Sequence, residues 1–169
     1  MRKISMWVTF SLLFGGCGVF KKEVVIPKAT IQDMLDKKFP IEKTTLLVKV
    51  KMSEPKVYFK SGNIGIIIKY WADALGKEMD GIVDVNTRVR YDNRSFYLSN
   101  VETPMISMND KEIDQDGKVT KAILSILRNY LENYPVYKLK QSDVKQNLAK
   151  LLLKDITVED ESLKVLIGL

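Results

Sequence analysis

Hydrophobic and polar residues follow two different periods along this chain. Between Thr44 and Met108 the period is two, which is typical of half-buried β-strands. The clearest strand, 81–91, has Val83 and Val85 on an apolar face and charged residues such as Asp84 on the other. Turn residues divide the region into an antiparallel meander of about four long strands. Pro104 within the last of them indicates an edge strand or a bulge.

On both sides of the meander the period changes to 3.6. It predicts a short helix over 30–38, capped by Thr30, and a long amphipathic helix over 118–134 that Pro135 ends. Ser142 is expected to cap a third helix, and residues 155–158 and 162–167 to form a terminal hairpin. The sequence therefore predicts an α+β fold in a single domain, 28–169. In this fold a curved antiparallel sheet carries one long helix and two shorter helices on one face.

The N-terminus has the order of segments that is typical of a bacterial secretion signal. Arg2 and Lys3 precede an apolar run of eleven residues, and Gly15 and Gly16 follow it. Because a helix needs about 20 apolar residues to span a bilayer, this run is too short for a stable membrane anchor. The segment predicts a signal peptide over residues 1–16. An ordinary signal peptide that contains a cysteine, and a short uncleaved anchor, are the alternatives.

Cys17 is the only cysteine and stands where a lipobox cysteine would be cut and acylated. Phe14 occupies the position where the lipobox pattern favours Leu. We therefore predict lipidation at Cys17, an acylated tether over 17–27 and attachment to a membrane through acyl chains. Gly18 replaces the Asp that, by resemblance to the known sorting rule, retains lipoproteins in the inner membrane. The expected location is the periplasmic face of the outer membrane.

The composition argues against most catalytic chemistry. There is no histidine, so the commonest general base and metal ligand is absent, and Cys17 is committed to the anchor. The turn Asp114–Gly117 resembles the start of a calcium loop, but Ser125 stands where the bidentate Glu would be, so a solvated turn before the next helix is favoured. We predict no catalytic residues, no metal, no cofactor and no enzymatic activity. An envelope hydrolase that uses carboxylates is the remaining enzymatic alternative.

The net charge of +6 does not predict nucleic-acid binding. The lysines are scattered among acidic residues and form no block of five or more, and an exported protein rarely meets nucleic acid. Mild basicity fits a location next to anionic lipid head groups instead.

One stretch carries a resemblance to a known family. The residues L-R-N-Y-L-E-N-Y-P-V-Y-K-L (127–139) resemble a motif of the YceB-like bacterial lipoproteins, in which Asn129, Tyr130, Pro135 and Tyr137 match. Cys17 matches the acylated cysteine of that family. Its fold has been likened to the tubular lipid-binding superfamily, in which a long helix lies along a bent sheet and encloses an apolar channel. The resemblance thus implies lipid binding by analogy of fold.

The sequence also contains residues that could line such a channel. The strand 64–71 is apolar on both faces, and methionines add adaptable apolar volume. The candidate groove residues are Ile64, Ile66, Ile68, Val83, Val85, Met105, Ile123, Leu127 and Tyr130. The same residues could instead fill an ordinary core.

Two functions follow from these two interpretations. In the first, the protein binds a lipid-like or other apolar ligand between sheet and helix. In the second, it is a structural or adaptor lipoprotein that recruits an unknown protein partner and has a fully packed core.

Overall fold

The computed structural model describes residues 21–45, 48–60, 62–139, 152–159 and 161–168. The larger of its two sheets has seven strands and is antiparallel throughout. Its strands are β2 (Ile41–Thr44), β3 (Val48–Lys60), β4 (Asn63–Ala74), β5 (Lys77–Asp92), β6 (Ser95–Met108), β7 (Lys111–Glu112) and β8 (Pro135–Lys138). The strands β2 to β7 are neighbours in chain order, and β8 pairs with β6. The sheet curls into a half-barrel.

Apolar and polar side chains alternate along the strands of this sheet, so one face of the sheet is apolar and buried. Val50, Ile66, Val85 and Leu98 come from four successive strands and are all buried on the concave face. Breaks in register help the strands to bend, because a bulge increases local twist. One lies between Ser53 and Lys56 of β3, and others lie where β5 pairs with the part of β6 around Pro104.

The second sheet joins the two ends of the described chain. It has three strands in the order β1 (Lys21–Pro27), β10 (Ser162–Gly168) and β9 (Leu152–Val158). Ile26 of β1 and Leu163 and Val165 of β10 are fully buried and belong to the same core as the concave face of the large sheet. Residues 21–27, which the sequence assigned to the tether, thus form a strand.

Two helices complete the described fold. Helix α1 (Lys28–Asp36) packs against β3 and β8, and helix α2 (Lys118–Asn133) packs mainly against β6. One stripe of α2, comprising Thr120, Ile123, Leu127 and Leu131, is buried against the sheet. The spacing of this stripe is that of one helix face, which explains why the sequence pattern located the helix accurately.

The predicted fold class is wrong. Among the described residues, 65% are in strands and 19% in helices, and there are two helices rather than one long and two short ones. The pattern underestimated the strands because β3 continues through its bulge at Glu54–Pro55 and β1 lies in the predicted tether. The third helix, predicted to begin at Ser142, falls almost entirely outside the described residues.

The start of α1 also differs from the prediction. The helix begins at Lys28 rather than Thr30, and its N-cap, Pro27, makes no side-chain capping hydrogen bond. Instead the backbone N–H of Lys28 donates to the carbonyl oxygen of Glu161 at 2.9 Å, and the two side chains form an ion pair. A contact from the turn between β9 and β10 therefore replaces the local cap that the sequence suggested. Among the described helices, none is both long and apolar enough to cross a membrane.

Candidate functional site: a groove beside helix α2

Seven of the nine predicted groove residues lie together in the packed interior. Ile64, Ile66 and Ile68 of β4 stand beside Val83 and Val85 of β5, with Ile66 opposite Val85 and Ile68 opposite Val83. Ile123 and Leu127 of α2 belong to the same core, and all seven side chains are 0% exposed. A side chain with no exposed surface is in contact with other protein atoms on all sides. In this structure these residues are therefore core.

The other two predicted residues are placed differently. Met105 lies opposite Asp84 of β5, on the convex face of the sheet, and is 38% exposed. The bulge near Pro104 prevents a simple alternation count from assigning its face. Tyr130 lies on α2 beside the buried stripe and is half-buried. Ile64 borders a polar cleft near β9 but is 0% exposed, and Tyr130 is the one of the nine that lines a surface groove with a partly exposed side chain.

This groove runs between α2 and the end of β2, and we call it the α2–β2 groove. It has a volume of about 340 Å³. Its lining residues are Lys43, Thr44, Thr45, Ile126, Asn129, Tyr130, Asn133 and Tyr134. The groove arises because α2 packs closely on β6 and only lightly on β3, so the side of the helix that faces β2 is left partly uncovered.

An aromatic cluster forms one end of the groove. The rings of Tyr130 and Tyr134 are 4.5 Å apart, and Phe39 meets Tyr130 edge-on at 5.8 Å. The hydroxyl of Tyr130 donates to the carbonyl oxygen of Lys38 at 3.2 Å, which fixes the ring against the chain after α1. Burial, and then the neighbouring Tyr134, raise the pKa of Tyr130 above its ordinary value. Tyr134 remains 45% exposed.

Lys43 forms the polar edge of the groove. It stands one residue beyond Glu42 and two beyond Ile41, which is buried, so the alternation of β2 places Lys43 on the concave side of the sheet. Glu42 is on the opposite side and pairs with Lys51 at 3.2 Å. Lys43 makes no ion pair with a carboxylate of the described residues.

Two other clefts are more polar and have weaker claims as sites. A cleft of about 510 Å³ lies along the exposed side of α2, where Asp116 and Lys121 form an ion pair at 2.9 Å. A cleft of about 380 Å³ lies between the β3–β4 turn and β9. The Asp114–Gly117 turn is exposed and precedes α2, with the backbone N–H of Asp116 donating to the side chain of Asp114. Within the described ranges, no three acidic side chains are grouped so that they could hold a metal ion.

Sequence reasoning missed Lys43 as a site residue and treated Ile126 only as part of the apolar stripe of α2. A signal for Lys43 was present, because it is in phase with the buried Ile41 two positions earlier. It could not be used without knowing that β2 is an edge strand next to α2.

The fold defines a curled antiparallel half-barrel whose open side is covered by a helix. A family model described as "Protein of unknown function (DUF1439)" matches residues 26–162, and the chain belongs to this family. The search of curated proteins finds no match. The match covers the larger sheet, both helices and β9, but it includes only Ile26 and Pro27 of β1 and only Ser162 of β10.

One solved structure to which the chain is weakly similar is titled "Crystal structure of lipopolysaccharide binding protein". The alignment has 10% sequence identity and a TM-score of 0.35, and it covers 87% of this chain. The chain spans 39% of the length of that protein. This likeness is too low to support a functional argument.

Proposed function

We propose that the protein is a non-enzymatic lipoprotein of the bacterial envelope that binds a lipid-like or other apolar ligand in the α2–β2 groove. The observation that carries this proposal is the groove itself, an open concavity walled by Ile126, Tyr130 and Tyr134. Its volume of about 340 Å³ lies within the range of small-molecule sites, roughly 300–1,000 Å³. Such sites combine apolar and aromatic walls with placed polar groups, and here Ile126, Tyr130 and Tyr134 stand beside one lysine, two threonines and two asparagines.

The ligand site in this proposal differs from the one that the sequence suggested. The predicted channel would pass along Ile66 and Ile123, but these side chains have no exposed surface. A ligand at the side of α2 requires no opening of the core. It uses the surface that the helix leaves uncovered on the side away from β6.

The rest of the proposal concerns location. We propose that Cys17 is acylated and holds the domain on the periplasmic face of the outer membrane, in keeping with the resemblance to YceB-like lipoproteins. Since β1 begins at Lys21, only residues 18–20 separate Cys17 from the folded domain. Four residue steps span at most about 14 Å, so acylation would keep this end of the small sheet next to the lipid head groups.

Anchoring is tested by replacing the cysteine. Cys17→Ser should release the domain from membranes or leave an uncleaved precursor, because the acyl chains that provide stable attachment cannot form. Fractionation of cells that express either form, with mass spectrometry of the N-terminus, measures this. A Ser variant that is processed and fractionates like the wild type would refute lipidation at Cys17.

Ligand binding is tested by filling the groove. Ile126→Trp adds bulk at a half-buried groove position and should weaken binding of a fluorescent fatty acid at least about tenfold. Leu75→Trp is the matched control, because Leu75 lies in the β4–β5 turn and is 82% exposed. Thermal unfolding of both variants shows whether they fold normally. The proposal fails if the wild type does not bind the probe, or if a folded Ile126→Trp variant binds it unchanged.

A second function is favoured by the packed core. Because Ile64, Ile66 and Ile68 are completely buried, the interior is suited to a structural or adaptor lipoprotein that recruits a protein partner. Native mass spectrometry of the 18–169 fragment, exported to the periplasm of its own host behind a cleavable signal peptide and purified from there, separates the two functions. Copurified lipid supports ligand binding, and a lipid-free protein with a stoichiometric protein partner supports the adaptor.

A further inference from the structure

We infer that the α2–β2 groove selects amphiphiles with an anionic head group, which the ammonium group of Lys43 holds while the apolar chain lies along Ile126 and Tyr130. This inference rests on the proposed function and specifies the chemical class of its ligand. It arises from a lysine on the apolar side of the sheet that no described acidic residue neutralises.

The position of Lys43 is unusual for a lysine. Side chains on the concave face of the neighbouring β3, including Val48, Val50 and Met52, are buried and apolar. Lys43 lies opposite Val50 and shares that face with Ile41, yet it is exposed because the groove opens beside it. The fold therefore places a permanent positive charge at the boundary between an apolar wall and water.

The electrostatics of the groove favour an anion. None of its eight lining residues is acidic, and Lys43 is the one lysine among them. Lys38 adds a second positive charge near the aromatic end, where its ammonium lies 5.6 Å from the centre of the Tyr134 ring. An anionic head group at Lys43 would thus meet one cation of the lining and no opposing carboxylate of the lining.

Two of the other polar side chains of the groove, Thr45 and Asn133, are already engaged in hydrogen bonds. The hydroxyl of Thr45 bonds with the backbone of Val48, donating to its carbonyl oxygen and accepting from its N–H, both at 3.1 Å. The side-chain amide of Asn133 donates to the backbone and side-chain oxygens of Asn129 at 2.7 and 2.6 Å. Lys43 is the one charged residue of the lining and is therefore the group best able to hold an anionic head group.

An inward-pointing lysine on an edge strand also has a purely structural explanation. Such a charge can prevent the strand from pairing with another chain, and β2 is an edge of the large sheet. This explanation predicts that neutralising Lys43 promotes self-association and leaves ligand binding unchanged. Head-group recognition predicts that neutralising Lys43 weakens binding of the anionic ligand and does not promote self-association.

The test compares two probes that share one chain and differ in the head group, a fluorescent fatty acid at pH 8 and its uncharged methyl ester. Wild-type protein should bind the acid about two- to fivefold more tightly than the ester, the range expected of one partly exposed ion pair. Lys43→Gln should remove this preference and leave the affinity for the ester unchanged. Lys60→Gln is the control, because Lys60 is exposed at the far end of β3, about 33 Å along the strand from Val50.

The outcomes separate this inference from the function on which it rests. If the wild type binds neither probe, the proposed function and the head-group inference are both refuted. If it binds both probes equally, or if Lys43→Gln keeps the preference for the acid, ligand binding stands and head-group recognition by Lys43 is refuted. Light scattering of the same samples detects any self-association that the structural explanation requires.

Discussion

At the scale of single residues, two tyrosines lie beside glycines on opposite faces of the large sheet. The ring of Tyr58 covers Gly65 on the convex face, where a Cβ would overlap the ring, and its hydroxyl donates to Asp84 at 2.7 Å. Tyr70 stands opposite Gly81 on the concave face and donates to the carbonyl oxygen of Ser107 at 2.8 Å. Each tyrosine side chain packs over the backbone of a glycine, which has no side chain of its own. The absence of a side chain allows this close approach within the bent sheet.

These tyrosines give the stability of the protein a dependence on alkaline pH. Burial, with the charge of Asp80 second, raises the pKa of Tyr70 to about 12. Burial, with the hydrogen bond to Asp84 second, raises the pKa of Tyr58 to about 12. An unfolded tyrosine has a pKa of about 10, so the folded state binds more protons between the two values. The stabilisation is therefore complete below about pH 10 and is lost as the pH rises towards 12.

Tyr70→Phe tests this pH dependence. The variant should lose about 1 kcal/mol for the hydrogen bond to Ser107 at neutral pH, and its unfolding free energy should decline less steeply than that of the wild type between pH 10 and 12. Urea unfolding at a series of pH values measures both effects. Identical slopes for the two proteins would show that Tyr70 titrates normally.

A second residue-scale prediction distinguishes a packed core from a channel. Ile66 has no exposed surface, so Ile66→Trp overfills the core and should cost about 1–3 kcal/mol of unfolding free energy. Ile67→Trp is the matched control, because the next residue points to the convex face and is half-buried. If denaturant unfolding shows that Ile66→Trp is tolerated and Ile67→Trp is not, the interior has space that the structure lacks.

At the scale of elements, β1 decides where the domain begins. Its seven residues pair along their whole length with β10, and Ile26 is completely buried while its neighbour Val25 is 50% exposed. Ile26→Ala should therefore cost about 2–5 kcal/mol, as for other large-to-small changes in cores, and Val25→Ala should cost well under 1 kcal/mol. Equilibrium unfolding of both variants measures the difference. Equal, small effects would mean that residues 21–27 behave as a tether.

Elements with a regular pattern could be predicted from the sequence. The alternation of Val83, Val85 and Thr87 with polar neighbours located β5, and the stripe of Ile123 and Leu127 located α2 to within a residue or two. Both patterns exist because one face of each element is buried. The strand β1 was missed because its pairing partner, β10, lies about 140 positions further along the chain.

The site was harder to predict than the elements. A pattern of apolar residues identifies burial, and a core and a ligand channel require the same residues. Ile64 and Ile126 are both apolar, yet the first is core and the second lines the groove, because α2 leans towards β6. How a helix leans over a sheet depends on contacts between distant segments, which single-sequence periodicity does not contain.

At the scale of the whole molecule, the fold combines a packed interior with an open surface groove, the α2–β2 groove. The concave face of the large sheet, the small sheet and the buried stripe of α2 share one core. The surface that this arrangement leaves open beside α2 is apolar at Ile126 and Tyr130 and positive at Lys43. Our central claim is that a lipid-like ligand binds in the α2–β2 groove and not within the half-barrel.

Photo-cross-linking with a diazirine-bearing fatty acid, followed by tryptic digestion and mass spectrometry, tests this claim most directly. Cleavage at lysine and arginine separates the groove-lining peptides 122–128 and 129–138 from peptide 61–69, which carries Ile64, Ile66 and Ile68. We predict that the label falls on 129–138 and, within 122–128, on Ile126 rather than on Ile123 or Leu127, as fragment-ion spectra resolve, and that excess unlabelled fatty acid removes it. Displaceable label on 61–69, or no displaceable label on any peptide, would contradict the claim.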